Sequence, residues 1–231
     1  MADGIVLVHG GMHGSWAWDP ILPLLDSPAV AVDLPGRGRR PVPLASVTLD
    51  DCVDAVLDDA DAAEFDRFVL VGHSLGGVTL TETGFRHPDR VAHLVYVGAL
   101  IPPPDTSASV LLTGAEIENE DGVVPLLDEE LGRTLFGNDL DDEQWAHHWK
   151  GLVNDAAAIM NARISGYPKG IPITYVSMLQ DQPVPPALVE QMLPNLGDGV
   201  DVRTIDAGHT VMVSQPHELA LILNEVAADT A

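Results

Sequence analysis

The chain has 231 residues, 46% of them hydrophobic and 20% charged, with a formal net charge of −24. That length buries one sizeable core and demands no second domain. So acidic a surface repels phosphate backbones and anionic bilayers, which argues against nucleic acid and membrane partners, and the acidity is read as a solubility feature.

In chain order, a strand pattern begins at Ile5–Val8, within a few residues of Met1, which leaves no room for a secretory leader. No apolar run reaches membrane-spanning length, so the expected compartment is the cytoplasm. A helical pattern near Ala17–Leu25 is made irregular by Pro20 and Pro23. Next come a strand at Val30–Asp33 and a helix at Leu49–Ala62, where the lone Cys52 reads as a small core residue and rules out an internal disulfide. The apolar strand Phe68–Val71 runs into Gly72-His73-Ser74-Leu75-Gly76 and a helix over Leu75–Arg86. A strand at His93–Val97 ends before Pro102-Pro103-Pro104, and the pattern resumes with a strand at Ile173–Ser177, a helix at Pro186–Met192, a strand at Val202–Ile205 and a helix at His217–Ala228. Short apolar strands alternating with helices specify an α/β fold: a mostly parallel central sheet with helices on both faces.

Residues 102–170 break the alternation. They carry acidic clusters (Glu116, Glu118, Glu120, Asp121; Asp139, Asp141, Asp142, Glu143) and large apolar residues, among them Leu111, Leu126, Phe136, Trp145, Trp149 and Met160. A connection this long in a compact chain needs a purpose, and a lid over a site is the usual one. The plainer reading is a helical insertion with its aromatics packed inward. The expected organisation is therefore a core of residues 1–101 and 171–231 with a small helical cap at 102–170, one domain overall.

Strand, Gly-x-Ser-x-Gly turn and helix together form the setting of a nucleophilic serine. A serine hydroxyl needs a base to take its proton and a carboxylate to orient that base, in the chain order Ser…Asp/Glu…His. Of nine histidines, His209 sits on the loop after the strand Val202–Ile205. His87 and His217 read as surface residues beside prolines, His93 begins a strand, and His147 and His148 fall in the cap. The base is therefore His209. Asp181 is the first carboxylate after the strand Ile173–Ser177 and is the expected orienting acid, with Asp206 as runner-up and better suited to bracing the histidine loop. The tetrahedral oxyanion needs two N–H donors. Leu75, directly after the serine, supplies one; the loop His9-Gly10-Gly11-Met12 supplies the other, with Gly11 preferred and Met12 next. His9 and His13 have the i, i+4 separation of metal ligands, yet they straddle a glycine loop without a carboxylate or cysteine beside them, so no metal is expected. No Gly-rich nucleotide signature occurs, so no cofactor is expected either.

These residues resemble the α/β-hydrolase superfamily over nearly the whole chain. Val8-His9-Gly10-Gly11-Met12-His13-Gly14-Ser15-Trp16-Ala17-Trp18 is similar to the opening of a branch that holds plant methylesterases, salicylate-binding esterases, hydroxynitrile lyases and bacterial carboxylesterases, including pyrethroid-hydrolase-like enzymes. Ala31-Val32-Asp33-Leu34-Pro35-Gly36-Arg37-Gly38 resembles its second strand and loop, Phe136-Gly137-Asn138-Asp139 through Met160 its cap, and Gly208-His209 its terminal histidine loop. The resemblance implies Ser74 as nucleophile, His209 as base, Asp181 as orienter, and Gly11 and Leu75 as oxyanion donors. Hydroxynitrile lyases of the branch carry threonine where Gly10 stands and lysine directly after the catalytic histidine, where this chain has Thr210. Plant methylesterases usually carry methionine there, and Ser74 excludes the aspartate nucleophile of epoxide hydrolases and dehalogenases.

The expected activity is cofactor-free hydrolysis of small to medium hydrophobic or aromatic carboxylic esters through an acyl-enzyme. Met12, Phe136, Trp145 and Trp149 are candidates for an apolar pocket, with core packing as the competing reading for each. A triad-bearing lyase, C–C hydrolase or perhydrolase is the alternative enzyme, and a low-turnover ligand receptor the alternative of another class. The expected partner is a small-molecule ester, with room left for a homodimer.

Overall fold

The computed structural model describes residues 2–119 and 121–230; Glu120 of the acidic cluster lies outside them. The strands are β1 (Gly4–Val8), β2 (Ala29–Val32), β3 (Phe68–His73), β4 (Val91–Val97), β5 (Val123–Val124), β6 (Asp155–Ala156), β7 (Ile173–Met178) and β8 (Asp201–Ile205). The helices are α1 (Leu49–Ala62), α2 (Gly76–Arg86), α3 (Ala108–Thr113), α4 (Glu129–Phe136), α5 (Asp142–Trp149), α6 (Ala157–Met160), α7 (Pro186–Met192), α8 (Val211–Ser214) and α9 (Pro216–Asp229). Six strands form the central sheet in the order β2-β1-β3-β4-β7-β8, and every pair in it is parallel.

Period-two side-chain alternation divides the core between the two faces of this sheet. Ile5, Leu7, Val69, Val71, Val95, Val97, Val176 and Met178 pack with Trp18, Ile21, Leu219 and Leu223. Val6, Val8, Phe68, Leu70, Leu94, Tyr96 and Tyr175 face the other way, against Cys52 and Val56 of α1, Val78 and Leu80 of α2 and Val189 of α7. Strands buried on both sides read as unbroken apolar runs, which is why they are legible in the sequence. Helix α1 is started by a capping box, the Asp51 N–H donating to Thr48 Oγ1 at 3.2 Å and the Thr48 N–H to Asp51 Oδ2 at 3.0 Å.

Three expectations need correction. The helix expected over Ala17–Leu25 is two 3₁₀ turns, Ser15–Trp18 and Leu22–Leu24; Pro20 and Pro23 lack the N–H groups that an α-helix would use. The strand expected to begin at His93 begins at Val91. The segment read as strand-free holds the antiparallel pair β5–β6, too short for any alternation to show. That segment leaves the sheet after β4 and returns at β7, and its aromatics gather in an apolar cluster of their own. Met12, Leu140, Trp145 and Leu152 form its buried part, with Phe136, Trp149 and Trp16 packed against it.

Candidate active site

Chain order places β1 between β2 and β3, so the direction of winding reverses at β1/β3. A crevice opens at such a switch point, beyond the carboxyl ends of the strands. Ser74 stands there, between β3 and α2, with φ of 52°. A non-glycine residue persists in this left-handed region only when its surroundings hold it. The Ser74 N–H donates to Val97 O at 3.1 Å, and Ser74 O accepts from the N–H groups of Gly77 at 3.0 Å and Leu100 at 2.9 Å. A Cβ at Gly76 would stand 2.6 Å from His9 O, and one at Gly77 2.5 Å from Leu100 O, so neither position can carry a side chain.

The loops after β7 and β8 bring the two expected partners to this serine. His209 Nε2 lies 2.9 Å from Ser74 Oγ. His209 Nδ1 lies 2.9 and 3.0 Å from the two carboxylate oxygens of Asp181. With Nδ1 protonated and donating to Asp181, Nε2 is left as the acceptor for the serine proton. Asp181 and His209 are 2% and 1% exposed, and Asp181 Oδ1 also accepts the Val184 N–H at 2.8 Å. The loop after β7 is pinned to the loop after β8 by Gln180 N–H to Ala207 O at 2.9 Å. Asp206 accepts from Gln180 Nε2 at 2.8 Å, so the runner-up acid braces the loops and leaves His209 Nδ1 to Asp181.

His73 and Phe136 flank His209. Buried His73 sits 2.9 Å, through Nε2, from His209 O; burial, reinforced by the nearby His209, pushes its pKa well below the usual value, so the ring is neutral and Nε2–H is the donor. Phe136 stacks on His209 with centroids 5.6 Å apart. Its carbonyl accepts the Thr210 hydroxyl at 2.5 Å, and the neighbouring Asp139 accepts the Gly208 N–H at 2.6 Å. Of the four pocket candidates, Phe136 therefore reaches the base and Met12 lies in the loop beside the serine. Trp145 and Trp149 pack on each other at 5.5 Å inside the apolar cluster, over Gly137 and Gly132. Their placement fits the core reading.

The N–H groups of Gly11 and Leu75 find no acceptor among the described residues. The two positions adjoin, since a Cβ on Gly11 would be 3.2 Å from Leu75 Cδ2, and one on Gly10 would be 2.9 Å from Ser74 Cβ. The Met12 N–H is already committed to Asp155 Oδ2 at 2.7 Å, which leaves Gly11 as the better placed of the two loop donors.

Around this loop lie further buried histidines whose roles sequence reasoning missed. Burial lowers the His9 pKa to about 4. Its Nε2 accepts the Leu34 N–H at 3.2 Å, so Nδ1 carries the proton given to Gly10 O. His13 Nδ1 donates to Gly11 O at 2.5 Å, and its Nε2 lies 3.0 Å from His148 Nε2 on α5. Burial holds both rings of this pair below the ordinary histidine value, His148 at about 4. The signal for His13 was present in the His9–His13 loop, but His148 carried none. Among the described residues no group of three or more His, Cys, Asp or Glu side chains is arranged to hold a metal ion, and no helix is long and apolar enough to cross a membrane.

The chain is similar to known enzymes over nearly its whole length. The chain is 27% identical over 240 residues to a pyrethroid hydrolase of Sphingobium wenxiniae, covering 94% of this chain and 84% of the relative. It is 27% identical to Methylesterase 10 of Arabidopsis thaliana, with 96% and 91% covered, and 27% identical to an alpha-hydroxynitrile lyase of the same plant, with 97% and 96% covered. Among solved structures, a pyrethroid hydrolase from Sphingobium faniae superposes with a TM-score of 0.82 at 26% identity, over 97% of this chain and 96% of the other. The model of the alpha/beta hydrolase family matches residues 5–220, and the chain belongs to that family.

Proposed function

We propose that this protein is a carboxylesterase acting through an acyl-enzyme on Ser74. The observation that carries the proposal is the continuous chain Ser74 Oγ, His209, Asp181, closed at 2.9 Å on each side of the imidazole, beside two N–H groups without acceptors. Ser74 attacks the ester carbonyl while His209 Nε2 takes its proton, and Asp181 stabilises the imidazolium that forms. The Gly11 and Leu75 N–H groups bind the oxyanion. His209 then protonates the leaving alcohol, and water repeats the sequence to release the acid.

The esterases among the relatives support ester hydrolysis, and Phe136 stacked on His209 supports hydrophobic or aromatic esters. The lyase alternative lacks support at Thr210: its hydroxyl is spent on Phe136 O, and no cation stands there to receive cyanide. Residues 102–170 are proposed as a cap, and the reaction as free of cofactor. The cytoplasm is the proposed compartment, where Cys52, its thiol pushed by burial up to about 12, stays inert. A small-molecule ester remains the proposed partner, with a homodimer left open and nucleic acid and membrane surfaces disfavoured by the net charge of −24.

Turnover of p-nitrophenyl acetate and butyrate by wild type and Ser74→Ala tests the mechanism. The variant should lose nearly all activity; undiminished turnover overturns the proposal. Labelling by a fluorophosphonate probe should reach Ser74 in wild type, and its absence would favour a receptor.

A further inference from the structure

We infer that Asp155 and Arg37 are positioning residues for the oxyanion hole, an inference that rests on the esterase reading of Ser74. Met12 is held at φ of 63°, a conformation that a non-glycine residue keeps only where its neighbours enforce it. The enforcing contacts come from two distant segments. Asp155, which opens β6, accepts the Met12 N–H through Oδ2 at 2.7 Å, and the Val153 N–H donates to Met12 O at 3.0 Å. Arg37, on the loop after β2, donates through Nε to His13 O at 2.8 Å and through Nη2 to Asp155 Oδ1 at 2.6 Å. The Ala156 N–H fills the remaining place on Oδ1 at 2.7 Å.

Both side chains are buried, so each charge depends on the other and on these hydrogen bonds. The carboxylate also explains why residue 11 is glycine, since a Cβ there would stand 2.9 Å from Asp155 Oδ2 and 3.2 Å from Leu75 Cδ2. One ion pair thus fixes the Met12 N–H and the His13 C=O, the backbone groups that follow Gly11. The Gly11 N–H is left presented beside that of Leu75. A hole that must be rigid when charge develops is held from outside by the segment that also covers the site.

Breaking one partner alone would strand a buried charge, so the double variant Arg37→Met/Asp155→Leu is the cleaner probe. Loss of one oxyanion donor costs about 10²–10³-fold in kcat, and a loosened donor should cost roughly tenfold to a hundredfold. KM for p-nitrophenyl acetate should stay within about threefold. Affinity for a trifluoromethyl ketone, whose hemiketal oxygen occupies the hole, should fall in parallel with kcat. Arg37→Met/Asp155→Asn restores a neutral acceptor for the Met12 N–H and should recover most of the loss. Arg37→Lys keeps both charges but not the fork, and serves if the leucine variant fails to fold; about a tenfold loss in kcat is expected. A folded leucine or lysine variant with wild-type kcat and ketone affinity overturns the inference, as does a loss carried by KM alone. A wild type whose Ser74 is not labelled by a fluorophosphonate removes the esterase reading and this inference with it.

Discussion

The carboxyl edge of the central sheet and the segment between β4 and β7 contribute to the same site by different means. Ser74, Asp181 and His209 follow parallel strands, and their positions come from ladder hydrogen bonds and from loops tied to adjacent strand ends. Phe136, His148 and Asp155 reach the site from short elements whose own backbones do not define it; each is placed by a contact with the core, on His209, His13 and Met12 respectively. Ser74, His209 and Asp181 are thus held by rigid scaffold, while their surroundings are completed by a segment held through side chains.

If that division is right, His209→Ala should remove about 10⁴-fold or more of kcat on p-nitrophenyl acetate at temperatures where the variant stays folded, a loss far larger than its cost in stability. An active His209→Ala enzyme would dissolve the comparison at its core end. Trp145→Ala should do the reverse. The buried indole fills the interior of the outer segment, and deleting it should cost about 3–5 kcal/mol of stability by urea unfolding, with a smaller effect on kcat at low temperature. A loss of activity without a loss of stability would make Trp145 a substrate contact.

Acid should loosen the joint between the regions. His9 and His148 titrate at about 4 when folded, against an ordinary 6.5. The unfolded chain therefore takes up these protons first, and stability should fall as pH drops from about 6.5 to about 4, then level off for these two groups. Each contributes on the order of 3 kcal/mol to that fall. Urea melts at steps of pH measure the slope, which His148→Phe should reduce; a profile flat across this window would contradict the neutral buried histidines. The smallest effect is expected at Thr210→Val. Removing the hydroxyl leaves Phe136 O without its donor and should cost about 1 kcal/mol, with a drop in kcat of a few fold as Phe136 shifts against His209. No change in either would show that this contact does not tie the segment to the base.

Legibility in the sequence follows the same boundary. The apolar runs Ile5–Val8, Phe68–Val71 and Ile173–Ser177 announced strands because both of their faces are buried, and Gly72–Gly76 announced the turn because its geometry leaves no room for side chains. Arg37 lay in a motif noted only as a strand and its loop, and Asp155 in a stretch noted only as a cap. Nothing local distinguishes either from a surface charge, since each is defined by a partner far along the chain. Trp145 and Trp149 were ambiguous between pocket and core for a related reason: composition shows that an aromatic will be buried, not against what.

The amino-acid sequence by itself determined the parallel α/β frame, the strained serine, and the chain order of acid and histidine, because strand patterning and turn sterics act over a few residues. Only the tertiary structure decided that the Met12 N–H is taken, that Phe136 covers His209, and that Arg37 and Asp155 meet beside the Gly10–Met12 loop. Those outcomes depend on contacts between residues as much as 143 positions apart, whose energies exist only once the chain has closed on itself.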